Sequence, residues 1–111
     1  MLRQRCYVLG MLVVVFRNRL REGVEQAYGE RAQQIYDLAL KMPGLVSTKD
    51  FVAEDGERLA IIEFRSAAEL EAWRVHSEHQ VAQAQGRDQF YTEYSLQICE
   101  LVRESRFKLE P

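Results

Sequence analysis

The side chains with the clearest potential for chemistry lie close together in the second half of the chain. Trp73, His76 and His79 fall within one seven-residue segment, and the two histidines are three positions apart. On a continuous helix that spacing brings two side chains to one face. An imidazole can accept or donate a proton near neutral pH. Two histidines are too few ligands for a zinc site, so we expect no metal here.

A structural role explains the same three residues. Trp73 would then be a core anchor with its N–H bonded to backbone, and the histidines would be surface or capping groups. His79 lies one turn from the apolar side that Val75 and Ala82 mark, so both roles stay open for it.

Two further polar side chains stand beside apolar or aromatic neighbours. Asn18, near the end of the predicted first strand, shares a face with Phe16 by alternation. A buried amide needs hydrogen-bond partners, so Asn18 either caps the strand end or points into a pocket. Arg87 precedes the predicted last strand, close to Tyr91. It either binds a carboxylate of a ligand or a neighbouring subunit, or forms a solvated ion pair.

Aromatic side chains recur at strand and helix positions throughout the chain. Such residues either fill the core or line an apolar pocket for a planar ligand. The set comprises Phe16, Phe51, Phe64, Trp73, Phe90 and Tyr94.

Composition limits the class of protein. The chain has 111 residues, 47% of them hydrophobic, and a net charge of −2, as expected of one globular domain. No basic stripe favours nucleic acid, and the apolar run 11–16 is far too short to span a bilayer. Two cysteines without a CxxC motif, and no signal-peptide pattern, indicate a reducing cytoplasm.

Periodicity predicts the order β-α-β-β-α-β, with the second helix broken in two. Asp55-Gly56 predicts a two-residue type I′ hairpin, Ser66 and Ser77 are predicted caps, and Gly86 is the predicted helix stop. The predicted strands cover residues 11–20, 45–53, 59–65 and 90–103, and the predicted helices begin at residues 24, 66 and 77.

This order predicts a ferredoxin-like α+β fold, a four-stranded antiparallel sheet with both helices on one face. The first strand carries apolar side chains toward both faces, so the uncovered face would expose a large apolar patch. Pairing two such sheets removes the patch, so we expect a homodimer; a ligand or another domain is the alternative cover.

Four segments together resemble the antibiotic biosynthesis monooxygenase (ABM) domain over about residues 11–104. They are Met-Pro-Gly at 42–44, the strand-turn-strand at 51–58, Trp-Arg-Val-His-Ser-Glu-His at 73–79 and the segment 86–94. The resemblance implies a dimeric α+β barrel, with residues 1–10 as an N-terminal extension and 105–111 as a C-terminal tail. It implies a cofactor-independent monooxygenase acting on a small aromatic or quinol-type substrate.

The resemblance also suggests site residues. His79, Asn18 and Trp73 would be catalytic, with His79 as the base. Substrate would contact Phe16, Phe51, Phe64, His76, Arg87 and Tyr94. The haem-degrading branch is characterised by an Asn in strand one, a Trp in the second helical region and a His ten residues later. This chain has Gln83 at that last position, so we expect no cofactor.

Two other functions remain open at this stage. One is a non-catalytic dimeric module that binds a small apolar ligand. The other is a haem-binding or haem-degrading protein.

Overall fold

The computed structural model describes the backbone of residues 2–6 and all of residues 10–110. The strands are β1 (Leu2–Cys6), β2 (Leu12–Leu20), β3 (Leu45–Val52), β4 (Arg58–Phe64), β5 (Tyr91–Glu100) and β6 (Glu104–Lys108). The helices are α1 (Glu25–Ala39), α2 (Ala67–Arg74) and α3 (Ser77–Gln85), and a π-helical turn (Gly86–Phe90) joins α3 to β5.

The main sheet confirms the predicted fold. Its strand order is β3-β4-β2-β5 with every pair antiparallel, which is the ferredoxin-like arrangement. The central strand β2 pairs with β4 on one side and β5 on the other, so residues of three strands line up in rows across the sheet.

Alternation divides the sheet into two chemically different faces. Val14 and Phe16 of β2 share one face with Ile62 and Ala60 of β4, and this face packs against the helices. The other face carries an apolar group, Val13, Val15, Leu59 and Ile61, flanked by polar side chains of β5.

The core lies where helices α1 and α2 meet the sheet. Phe64 is completely buried, and Ala39 of α1 and Trp73 of α2 pack with it. Ser66 caps α2 as predicted. Its hydroxyl oxygen accepts from the Glu69 N–H, and its O–H donates to the Glu69 carboxylate. That cap fixes the start of the helix that carries Trp73.

Three local predictions were wrong. The turn between β3 and β4 has three residues, 54–56, rather than two, because the Ala53 N–H donates to Glu57 O on either side of it. Gly56, at φ +89°, is the one residue of this turn with positive φ. His76, not Ser77, caps α3, with its ring Nδ1 accepting from the Glu78 N–H. Gly86 does not end the helix, because its backbone stays right-handed and continues into the π-helical turn.

The two ends of the described chain pair with each other. β1 and β6 form a separate antiparallel ribbon, from Leu2 opposite Lys108 to Cys6 opposite Glu104. The predicted N-terminal extension (1–10) and C-terminal tail (105–111) thus contain β1 and most of β6. The periodicity of the sequence did not indicate these strands. In the part of the chain that the structure describes, no helix is long and apolar enough to cross a bilayer.

Candidate functional site

A cavity of about 440 Å³ lies between the sheet and the helices. Its floor is apolar, formed by Val14, Phe16, Ile62 and Phe64 of the two central strands. It is not fully enclosed, because Leu96 and Ile98 of the edge strand β5 line it and remain about half exposed. A small planar molecule can therefore reach an apolar floor from the side of β5.

Trp73 and His79 form one wall of this cavity. Their rings are stacked, with centroids 4.2 Å apart and planes inclined by 20°. His79 Nδ1 lies 3.2 Å from the Trp73 carbonyl oxygen. A carbonyl oxygen only accepts, so this contact places the proton on Nδ1 and leaves a lone pair on Nε2. Burial lowers the pKa of His79, which favours the neutral ring at neutral pH.

Aromatic rings form the opposite end of the cavity. Tyr91 makes edge contacts with Phe16 and Tyr28, at centroid distances of 5.6 and 5.8 Å, and Tyr94 lies 5.8 Å from it. Burial, together with the neighbouring Tyr28 hydroxyl, raises the pKa of Tyr91 well above its ordinary value. The Tyr91 phenol is therefore a neutral hydrogen-bonding group at working pH.

The π-helical turn positions this aromatic end. Arg21 clamps the turn: its guanidinium donates to the carbonyl oxygens of Arg87, Asp88 and Tyr91 at 2.7–3.0 Å. The Tyr91 ring packs on Gly86, where an added Cβ would stand 2.6 Å from ring atom Cε2. π-Helical turns are rare and recur at functional sites, and this one sets the direction of Arg87 and Tyr91.

Asn18 borders the cavity without lining it. It is 3% exposed and pairs across the sheet with Arg58 and Tyr94, next to the row that contains Phe16. Its Oδ1 is buried without a hydrogen-bond partner in the described structure. An unsatisfied buried acceptor is costly, so a donor from a ligand or solvent is needed at this position.

The structure brings together most, but not all, of the residues predicted from sequence. The cavity lining includes Phe16, Phe64, Trp73, His79, Arg87 and Tyr94. His76 is at the start of α3, outside that lining, and Phe51 lies 43% exposed on the opposite sheet face.

Sequence reasoning missed Tyr28 and Arg31 of α1, which also line the cavity, and the clamp formed by Arg21. Tyr28 belongs to a stripe of apolar and aromatic residues, with Ala32 and Ile35, that recur at three- and four-residue steps along the helix. A hydroxyl and a guanidinium on the inward side of that stripe were the available signal.

The residues present do not fit haem ligation of the kind that the resemblance describes. Gln83 lines the cavity where that branch has an imidazole, and His79, four residues earlier, packs flat on Trp73. Among the described residues, no group of three or more His, Cys, Asp or Glu side chains could hold a metal ion.

Comparison with known proteins agrees with the fold. YqjZ of Bacillus subtilis, an uncharacterized protein, is 29% identical over 84 residues, which is 76% of this chain and 74% of YqjZ. The structure of SO0527 from Shewanella oneidensis superposes with a TM-score of 0.78 at 13% identity, covering 89% of this chain and 98% of that one.

A further neighbour has a stated activity. The crystal structure of a mutant of SnoaB, a cofactor-independent oxygenase from Streptomyces nogalater, superposes with a TM-score of 0.71 at 11% identity. The superposition covers 80% of this chain and 90% of SnoaB. At such identities the likeness shows the fold alone. Residues 11–85 match the family model for antibiotic biosynthesis monooxygenase, and the chain belongs to that family.

Proposed function

We propose that this protein is a cofactor-independent monooxygenase that acts on a small aromatic or quinol-type substrate. The observation that carries the proposal is the Trp73–His79 stack in the wall of an apolar cavity. Membership of the ABM family and the structural likeness to a cofactor-independent oxygenase support it. The cavity offers an apolar floor and aromatic edges, which suit a planar ring.

His79 is the proposed base. The contact between Nδ1 and the Trp73 carbonyl holds the tautomer in which Nε2 carries the lone pair. Because burial lowers the pKa of His79, the ring is ready to accept a proton at neutral pH. Trp73 orients the imidazole through both its ring and its carbonyl, so the two residues act as a unit.

The substrate itself supplies the electrons in this scheme. His79 removes a proton from an acidic C–H or phenolic O–H, and the resulting anion passes an electron to O2. A C–O bond then forms, and the peroxide anion takes the proton back from His79 to give a hydroperoxide. His79 next removes the second proton from the same carbon, the C=O bond forms as the O–O bond breaks, and the hydroxide that is released takes up this proton. For an anthrone, the reduced carbon is oxidised to a carbonyl, one oxygen atom stays in the product and the other leaves as water. We assign the Nδ2–H of Asn18, a side chain buried at the cavity border, to donating a hydrogen bond to the anionic oxygen.

We also propose that the protein is a homodimer through the sheet face opposite the helices. Val13, Val15, Leu59 and Ile61 cluster at the centre of that face, and Phe51 adds an exposed ring at its β3 edge. A second copy of the same face would remove these side chains from water.

Turnover of an anthrone under 18O2, in the presence of a chelator and without added cofactor, tests the function. One labelled oxygen atom in the quinone and one in water is the expected result. No turnover of anthrones or quinols by the wild-type protein, together with ordinary binding of such ligands, would contradict the proposal and favour the non-catalytic binding module instead.

A further inference from the structure

The charged groups of the cavity are not balanced. Glu71 and Arg74 both line it, but they neutralise each other through two hydrogen bonds of 2.6 and 2.8 Å. Arg31 and Arg87 also line it, and neither guanidinium makes an ion pair within residues 10–110. Asp50 is the remaining acidic side chain in the lining. The cavity thus has an excess of positive charge in a chain whose net charge is −2.

Arg31 carries a buried charged donor, its Nε–H, that lacks a hydrogen-bond partner in the described structure. It projects from α1 one turn after Tyr28 and one turn before Ile35, both of which line the cavity. Its Nη1 donates to Gln34 Oε1 at 2.9 Å, which tethers one side of the guanidinium. Its Nε is buried and has no hydrogen-bond partner in the described structure. Leaving a buried charged donor unsatisfied costs more free energy than leaving a neutral one unsatisfied.

This donor restricts what can occupy the cavity. A purely apolar ligand would leave the buried Arg31 Nε–H without any partner, which is unfavourable. A ligand with an anionic oxygen acceptor would satisfy it and offset the positive charge. A carboxylate suits a guanidinium best, because two oxygens match two parallel N–H groups.

We propose that the substrate is an aromatic acid, with its ring over the apolar floor and its carboxylate on Arg31. This rests on the proposed function, because it takes the cavity as the substrate site. Arg31 then selects among aromatic compounds, while Trp73 and His79 carry out the chemistry on the ring. Arg87, exposed at the same cavity, adds a long-range attraction for an anion.

A matched pair of ligands tests the proposal directly. 1-Hydroxy-2-naphthoate and 1-naphthol share the same ring and hydroxyl and differ in one carboxylate. Titration calorimetry at pH 7.5 gives the Kd of each for the wild type, Arg31→Gln and the control Arg103→Gln, an exposed arginine outside the cavity. We expect the wild type to bind the acid about tenfold or more tightly than the naphthol, the scale of one charge-assisted hydrogen bond.

Arg31→Gln should lose about tenfold or more in affinity for the acid and change by less than about threefold for 1-naphthol. Arg103→Gln should match the wild type for both. A wild type that binds both ligands equally, or an Arg31→Gln protein that loses both equally, would overturn the proposal.

Two further measurements distinguish the role of Arg31 from the proposed monooxygenase activity. If Arg31→Gln does not fold, the wild-type preference alone decides, together with its weakening when salt is raised from 50 to 500 mM, about a threefold fall in Debye length. Turnover of anthrones without a preference for the acid would reject only the role of Arg31. A preference for the acid without any turnover would reject the monooxygenase and leave an aromatic-acid-binding protein.

Discussion

The indole of Trp73 and the imidazole of His79 lie face to face, with ring centroids 4.2 Å apart, and the same pair is joined by the contact from Nδ1 to the Trp73 carbonyl. Trp73 belongs both to the buried core and to the cavity wall. The position of the candidate base is therefore coupled to the packing of the core. A change at Trp73 should alter stability and His79 together.

Replacing Trp73 with alanine should lower the free energy of unfolding by about 3–5 kcal/mol, because a buried ring is deleted beside Phe64. Trp73→Phe should cost less, since part of the ring contact survives. Urea denaturation followed by far-ultraviolet circular dichroism measures both. Equal, wild-type-like midpoints for the two variants would mean that Trp73 is not the core anchor.

Acid should destabilise the protein through His79. Burial lowers the folded-state pKa below the unfolded value of about 6.5, so the unfolded chain binds the proton more readily. The stabilisation from a neutral His79 is complete above that unfolded pKa and is lost as pH falls through the folded pKa. Between pH 7.5 and pH 5, the wild type should lose more unfolding free energy than His79→Gln does. A His79→Gln protein with the same pH dependence as the wild type would contradict this account.

Removing the Arg21 clamp should loosen the aromatic end of the cavity. Arg21→Ala deletes three hydrogen bonds to backbone carbonyls of the π-helical turn and of Tyr91, at an expected cost of about 1–3 kcal/mol. Affinity for 1-naphthol should fall at the same time, because Tyr91 loses its support. Arg21→Lys, which keeps the charge but not the fork of donors, should behave like Arg21→Ala. Full recovery in the lysine variant would show that charge alone acts at this position.

The sequence predicted the main sheet well because its signals are local and repeated. The alternation in β2 and the stripe of α1 each rest on many residues, so single exceptions did not matter. The errors fell where one contact decides the local structure. Gly86 was predicted as a helix stop. The structure instead requires glycine at this position because the Tyr91 ring packs against it and leaves no room for a Cβ.

The site was predicted only in part for the same reason. His79 and Trp73 are close in sequence, so helical spacing could place them together. Arg21 and the π-helical turn are more than sixty residues apart, and no pattern in the sequence records their contact. Phe51 and Phe64 are both strand aromatics, but the register places them on opposite faces of the sheet.

Dimerisation should depend on the sheet face opposite the helices. Ile61→Asp places a charge at the centre of its apolar group and should shift the sedimentation mass from twice 13.0 kDa to 13.0 kDa. Ala68→Asp adds the same charge at an exposed position in the first turn of α2 and should leave the mass at the dimer value. A wild type that sediments as a monomer at micromolar concentration would refute the proposed interface.

The role of His79 as base is the central claim, and steady-state oxygen consumption with an anthrone measures it most directly. The matched control is His76→Asn, which removes the other imidazole, outside the cavity lining, and keeps a side chain able to cap α3. His79→Ala should lower kcat by about 10²-fold or more, the usual scale for loss of a general base, while His76→Asn stays within about threefold of the wild type. Unchanged kcat in His79→Ala, with the wild type active, would contradict the account.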